Sequence, residues 1–184
     1  MMANPLVGIV VGSDSDLPVI KDACAMLVQL GISHEVVIAS AHRTPEKAAG
    51  YARSAAERGL QVIIAAAGQA AHLPGVLAAQ TCLPVIGVPI QTGALNGVDA
   101  LYSIVQMPAG VPVAAVAING AKNAALLAAR IIGAADPAVR EKIVGYQAEL
   151  AARGEAKAAR LAELGIDRYL MEVGSRRSEV GNSS

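Results

Sequence analysis

The sequence predicts an α/β fold, a three-layer, doubly wound parallel sheet of the flavodoxin-like order 2-1-3-4-5. Three observations carry this prediction. Five short β-rich runs alternate with helical patterns along the chain. Most of those runs are apolar without alternation, which is how parallel strands covered on both faces read. All five fit within about 130 residues, which suits this order better than a dinucleotide-binding fold.

The first strand is Val7–Val11, followed by a helix over Leu17–Leu30. Glu35–Ala39 is the second strand. Its helix, Pro45–Arg58, has Thr44 as N-cap, Pro45 at the first helical position and Glu46 in the first turn. The third strand, Gln61–Ala66, precedes a shorter helix over Ala70–Gln80. Pro84–Ile90 and Pro112–Ile118 are the fourth and fifth strands, with helices over Gly97–Met107 and Ala121–Ile132. Residues 1–135 form the α/β body, and residues 136–184 are a helical extension of the same domain. In that extension Asp136 and Pro137 start a helix and Glu149 supports Arg153 one turn on. Gly154 is expected to interrupt it before a second piece, Glu155–Leu164. The polar stretch Ser175–Ser184 is expected to be disordered.

Composition narrows the function classes. Of 184 residues, 54% are hydrophobic and 16% charged, the latter below the roughly 25% usual for soluble domains. About a fifth are alanine, with no Phe or Trp. So much apolar surface on a small chain points to a homo-oligomer. Fifteen basic and fifteen acidic residues cancel, and four Tyr are the only aromatics. Such a chain lacks both the basic field and the stacking platforms of a nucleic-acid binder. Cys24 and Cys82 form no CxxC pair and read as reduced, buried thiols of a cytoplasmic protein. The apolar run Leu6–Val11 is too short for a signal peptide. No Asp, Glu, Lys or Arg occurs from Gly59 to Val98, but Pro74, Pro84, Pro89 and several Gly break that stretch. It reads as soluble interior, with no membrane span.

In such a sheet ligands bind beyond the carboxyl ends of the strands, near the switch in strand order. The loops after strands 1, 2 and 3 therefore share one edge. Their sequences are Gly12-Ser13-Asp14-Ser15-Asp16, Ser40-Ala41-His42-Arg43-Thr44-Pro45 and Gly68-Gln69-Ala70-Ala71-His72-Leu73-Pro74-Gly75. His34 precedes strand 2 and belongs to the opposite edge. The first loop offers hydroxyls and a helix N-terminus, which suit an anion, although it matches neither a P-loop nor GxGxxG. Capping by Ser15 or Asp16 explains it as well, while Asp16 can accept from sugar hydroxyls. Arg43 can hold a phosphate and His42 can carry a proton near neutral pH. Taken alone, however, that loop also reads as an exposed His beside a surface Arg. His72 reads either as a structural donor or as part of a pocket into which small residues admit a ligand. Neither His has a carboxylate or thiolate at ligand spacing, so no metal is expected. A GxSxG elbow is missing, which argues against a serine hydrolase.

Five motifs in order, GSDSD at 12–16, SAHRTP at 40–45, AAHLPG at 70–75, GVDALYSIVQMP at 97–108 and NAALLAA at 123–129, span most of the chain. Together the sequence resembles the class I N5-carboxyaminoimidazole ribonucleotide mutases of bacterial purine biosynthesis. The resemblance implies a three-layer α/β fold, a homo-octamer, no cofactor or metal, and conversion of the N5-carboxy ribonucleotide to its 4-carboxy isomer. It also implies that Ser13, Asp16, Ser40 and Arg43 bind the ribose 5-phosphate. His42 is then the proton-transferring residue and His72 a catalytic pocket histidine near the carboxylate. Gly68, Gln69, Ala70 and Leu73 complete the substrate-binding set. SAHRTP favours the mutases over the related animal-type carboxylases, which differ after the second-loop His. The chain departs from the family at Gln69, where Gly is usual, in a shorter segment between Ile118 and Asn123, and in a longer tail after Gly154. Two alternatives stand beside this reading. One is an aminoimidazole ribonucleotide carboxylase using carbon dioxide directly. The other is a non-catalytic phosphosugar- or nucleotide-binding module, which would need Ser13, Asp16 and Arg43 but not the two His.

Overall fold

The computed structural model describes residues 4–181. Its elements run β1 (Val7–Val11), α1 (Leu17–Gln29), β2 (His34–Ile38), α2 (Pro45–Ser54), β3 (Val62–Gly68) and α3 (Leu73–Ala78). β4 (Val85–Ile90), α4 (Val98–Val105), β5 (Ala114–Ala115), α5 (Ala121–Gly133) and α6 (Pro137–Gly181) follow. The sheet has five strands in the order β2-β1-β3-β4-β5, and every pairing is parallel. The predicted fold class and strand order are both present.

β1, β3 and β4 are buried along nearly their whole length, as apolar runs without alternation require. On one face the core gathers Val10, Ile63, Ala65 and Ala67 with Ala48 and Ala52 of α2, Leu73 and Leu77 of α3, and Ala100 and Ile104 of α4. α1 and α5 pack against each other, and α5 also lies on β3 and β4. Ala121, Ala124, Ala125, Ala128 and Ala129 are fully buried on α5, so alanine here shortens the distance between layers.

Several boundaries differ from the sequence reading, each for a local reason. β3 extends to Gly68, which pairs with Ile90 and so closes a strand instead of opening a loop. α3 starts at Leu73 instead of Ala70, because residues 69–72 are used in a tight turn. α2 ends at Ser54, four residues before the expected Arg58. β5 has two residues, not seven. Beyond it Asn119 turns left-handed (φ 57°) and its amide donates to the Pro89 carbonyl. α6 passes through Gly154 without interruption, since a mid-helix glycine costs only about 1 kcal/mol. The break lies at Gly165 (φ 68°, ψ 167°), a conformation that favours glycine. Arg160 bonds Glu163 and, across the break, Glu172. The backbone is helical through Gly181, where a disordered tail was expected from Ser175; residues 182–184 lie outside the described residues. Cys24 is half-buried, whereas Cys82 is exposed and not interior as expected.

The chain divides between Ile143 and Val144 into two compact units. In the first, α2 is tied to the sheet by one polar cluster. The Tyr51 hydroxyl donates to Glu35 Oε1 at 2.8 Å, and Arg58 Nη1 donates to the same oxygen at 2.6 Å. The guanidinium lies 4.7 Å from the Tyr51 ring centroid. Burial, and then the Glu35 carboxylate, push the Tyr51 phenol above its ordinary range.

Gly8 pairs with Glu35 and lies under the Tyr51 hydroxyl, so a Cβ there would collide with it. Gly8→Ala is expected to destabilise the protein by about 1–3 kcal/mol in urea denaturation. Combined with Tyr51→Phe, the loss should be smaller than the sum of the two single losses, because the colliding oxygen is gone.

Candidate active site

The site forms where β1, β2 and β3 end side by side. After β1 the chain enters a short 3₁₀ turn, Asp14–Asp16, capped by Ser13 instead of Ser15 or Asp16. The Ser15 amide donates to Ser13 Oγ at 3.4 Å, and the Ser13 amide donates to Asp16 Oδ2 at 3.1 Å. This reciprocal capping box holds Asp16 at 6% exposure. Burial raises the Asp16 carboxyl above the usual range, with hydrogen bonds from Ser13 and Ser15 opposing the shift. Asp14 is exposed, and the Ser13 hydroxyl bond lowers its carboxyl.

The loop after β2 is built around Ser40. Its Oγ accepts the amides of His42 (3.3 Å) and Arg43 (3.2 Å). Thr44 stands at the N-cap position but does not cap. Its hydroxyl accepts the Ser40 amide at 2.9 Å and donates to the Ser40 carbonyl at 3.2 Å, closing the loop on itself. Arg43 Nη2 donates to the Gly12 carbonyl at 2.8 Å and so joins this loop to the first.

The loop after β3 turns on Gln69, whose φ of 53° is left-handed. The Ala71 amide donates to the Gln69 carbonyl (2.8 Å) and the His72 amide to the Ala70 carbonyl (2.7 Å). The reversal brings His72 against His42. His42 Nε2 and His72 Nδ1 are 2.8 Å apart, the rings meeting edge to face at 73°. One nitrogen must donate and the other accept, so the bond orients both rings and leaves one ring nitrogen on each without a partner among the described residues. His34, by contrast, opens β2 at the opposite edge, as expected.

All ten residues singled out from sequence, His42, His72, Ser13, Asp16, Ser40, Arg43, Gly68, Gln69, Ala70 and Leu73, line one cavity of about 440 Å³. Sequence reasoning missed two neighbours. Thr92 lines the same cavity, and its buried Oγ1 has no hydrogen-bond partner among the described residues. It follows β4, whose loop opens on the same edge, so the carboxyl-end rule was the signal for it. Lys47 lines an adjoining cavity of about 430 Å³ that shares Gly12, Ser13, Ser40 and Arg43. It lies one turn into α2 beyond Arg43, so Arg43 and Lys47 line that adjoining cavity together with the Asp14 carboxylate.

A family model described as AIR carboxylase matches residues 6–153. The chain belongs to the AIR carboxylase family. The relatives that bear the mutase name are similar over nearly their whole length. An N5-carboxyaminoimidazole ribonucleotide mutase of Pyrococcus horikoshii is 60% identical over 169 residues, covering 92% of this chain and 96% of that one. A protein of the same name from Mycobacterium tuberculosis is 61% identical, covering 88% and 92%. The crystal structure of Treponema denticola PurE superposes with a TM-score of 0.79 at 30% identity, covering 85% of this chain and 98% of that one.

Asp16 supplies a test of the site's electrostatics. Because burial raises its folded-state value, ionisation costs stability, and that cost is absent once pH falls below the ordinary carboxylate range. Asp16→Asn keeps an acceptor for the Ser13 amide without the charge. The variant is expected to be more stable than the parent at pH 7, with the gap closing by pH 3. Denaturant titrations at the two pH values make the comparison.

Proposed function

We propose that the protein is an N5-carboxyaminoimidazole ribonucleotide mutase, converting that nucleotide to 4-carboxy-5-aminoimidazole ribonucleotide in purine biosynthesis in the cytoplasm. The hydrogen-bonded His42–His72 pair, in a cavity that Arg43 also lines and that adjoins one lined by Lys47, carries this reading. A binding module has no use for two imidazoles joined to each other. Relatives bearing the mutase name at 60–61% identity support the same choice.

The geometry suggests the roles. Arg43, with Ser13 and Ser40, takes the 5-phosphate, since the guanidinium keeps donors beyond the one given to Gly12. Asp16 accepts from ribose hydroxyls. The base lies toward the histidines, between Gly68, Gln69, Ala70 and Leu73, where small residues let it approach the backbone.

The reaction balances within the chain's own groups. The N5–carboxyl bond breaks, carbon dioxide leaves without the bonding pair, and protonated His42 gives N5 a proton. The electron-rich ring carbon C4 then attacks the retained carbon dioxide. Neutral His42 removes the C4 proton, restoring both the aromatic ring and its own charge. His72 holds the His42 ring in place through these steps and offers a second position for the proton. No side-chain nucleophile takes part, and neither cysteine lines the cavity.

The family resemblance also supports a homo-octamer. Val98, Tyr102 and Val105 form an apolar stripe on α4 and are 43%, 60% and 44% exposed. Light scattering at micromolar concentration is expected to give a mass several times the chain's 18.6 kDa. A monomer would remove this part of the reading.

The catalytic test uses N5-carboxy nucleotide labelled in the carboxyl carbon, supplied in unlabelled bicarbonate. Most of the label is expected in the 4-carboxy product, and His42→Asn should lower turnover by about 10²–10⁴-fold. Complete loss of label to the pool, with efficient use of aminoimidazole ribonucleotide, would make the protein a direct carboxylase.

A further inference from the structure

Gln69 is an unusual residue for its position. Among the described residues only Gln69, Asn96 and Asn119 are non-glycine with positive φ. Asparagine tolerates that region because its short amide bonds locally. Asn119 is held instead by a bond across the fold, its Oδ1 accepting the Gln91 amide at 2.9 Å. Glutamine is longer, and the Gln69 carboxamide bonds to no described residue. The turn that delivers His72 accounts for the backbone conformation, but glycine would serve it without strain. The turn does not account for the side chain.

That side chain is exposed and lines the cavity. Its Cγ and Nε2 each lie 3.9 Å from where a Cβ on Gly93 would stand, so it reaches from the β3 loop to the β4 loop. It stands three residues before His72 on the same loop, and both line the one cavity. The two histidines are partly committed to each other. Gln69 therefore brings an uncommitted donor and acceptor, on one planar group, into the cavity that both histidines line, which on the mutase reading takes the base.

We propose that the Gln69 carboxamide recognises the carboxylate–amine edge of the carboxylated base. Its NH₂ donates to the 4-carboxylate and its carbonyl accepts from the adjacent 5-amine. This rests on the mutase reading above and assigns that site a specificity residue. A neutral amide suits the task, because it binds the carboxylate without the full charge that would hold it against transfer. Strain persisting beside a reaction centre is consistent with such a role.

Calorimetric titration of the intact protein tests it, using 4-carboxy-5-aminoimidazole ribonucleotide and the same nucleotide without the carboxylate. Gln69→Gly is expected to weaken the carboxylated ligand by about 10-fold or more, the worth of a hydrogen bond to a charged group. The uncarboxylated ligand should lose no more than about threefold, through the amine alone. Gln69→Glu should weaken the carboxylated ligand further by placing like charges together. The thermal midpoint of Gln69→Gly should not fall, which separates recognition from a structural role. Equal losses for both ligands, or no loss for either, overturn the inference while leaving the mutase reading intact. A parent protein that binds neither nucleotide overturns the mutase reading, and this inference with it.

Discussion

The site depends on one constraint: β1 is paired in parallel on both sides, in register from Val7 to Val11 with β2 and with β3. Parallel strands point their carboxyl ends the same way, so three loops leave from one edge. β2 and β3 flank β1 at roughly 4.8 Å each, which sets their ends about 10 Å apart. Two histidine side chains reaching inward can span that gap, and His42 and His72 meet at 2.8 Å. Gly8 belongs to the same constraint, because only a residue without a side chain lets Tyr51 lie across β1 and bond Glu35 on β2. That bond fixes α2, and α2 begins where the His42 loop ends.

Polar groups around the cavity spend much of their capacity on one another. Ser40 steadies the His42 and Arg43 amides, Thr44 closes the same loop, and Arg43 reaches back to Gly12. Each bond holds a loop in place before any ligand arrives, which is how a site avoids reorganising during reaction. Two features oppose stability. Asp16 carries a carboxylate into a buried position, and Gln69 holds a backbone conformation better suited to glycine. Both line the cavity, and unfavourable local structure gathered there is what a site selected for chemistry would keep.

Much of this was legible in the sequence because it rests on short-range pattern. Unbroken apolar runs marked β1, β3 and β4, and the carboxyl-end rule brought three loops to one edge; the family resemblance then chose among their residues, and all ten line one cavity. What escaped depends on tertiary geometry. No spacing reveals that His42 and His72, thirty residues apart, share a hydrogen bond. Gly154 and Gly165 look alike in a helical pattern, and only the chain's path shows which one breaks. Thr44 has the composition of an N-cap, yet its hydroxyl is used by Ser40. Thr92 was within reach of the same rule applied to β4, whereas Lys47 required the adjoining cavity to be seen.

The two parts of the proposed function bear on each other. A mutase must keep its carbon dioxide from water between the breaking and forming of bonds, which calls for a closed pocket. In the single chain His42, Arg43, Gln69, Ala70 and His72 are all exposed, so the cavity has its floor in the sheet but an open mouth. The same chain leaves an apolar stripe on α4 uncovered. Self-association would cover that stripe, and a second chain near the carboxyl edge would narrow the mouth. On the proposed homo-oligomer reading, one assembly would answer both the apolar excess in the composition and the demand for a dry site.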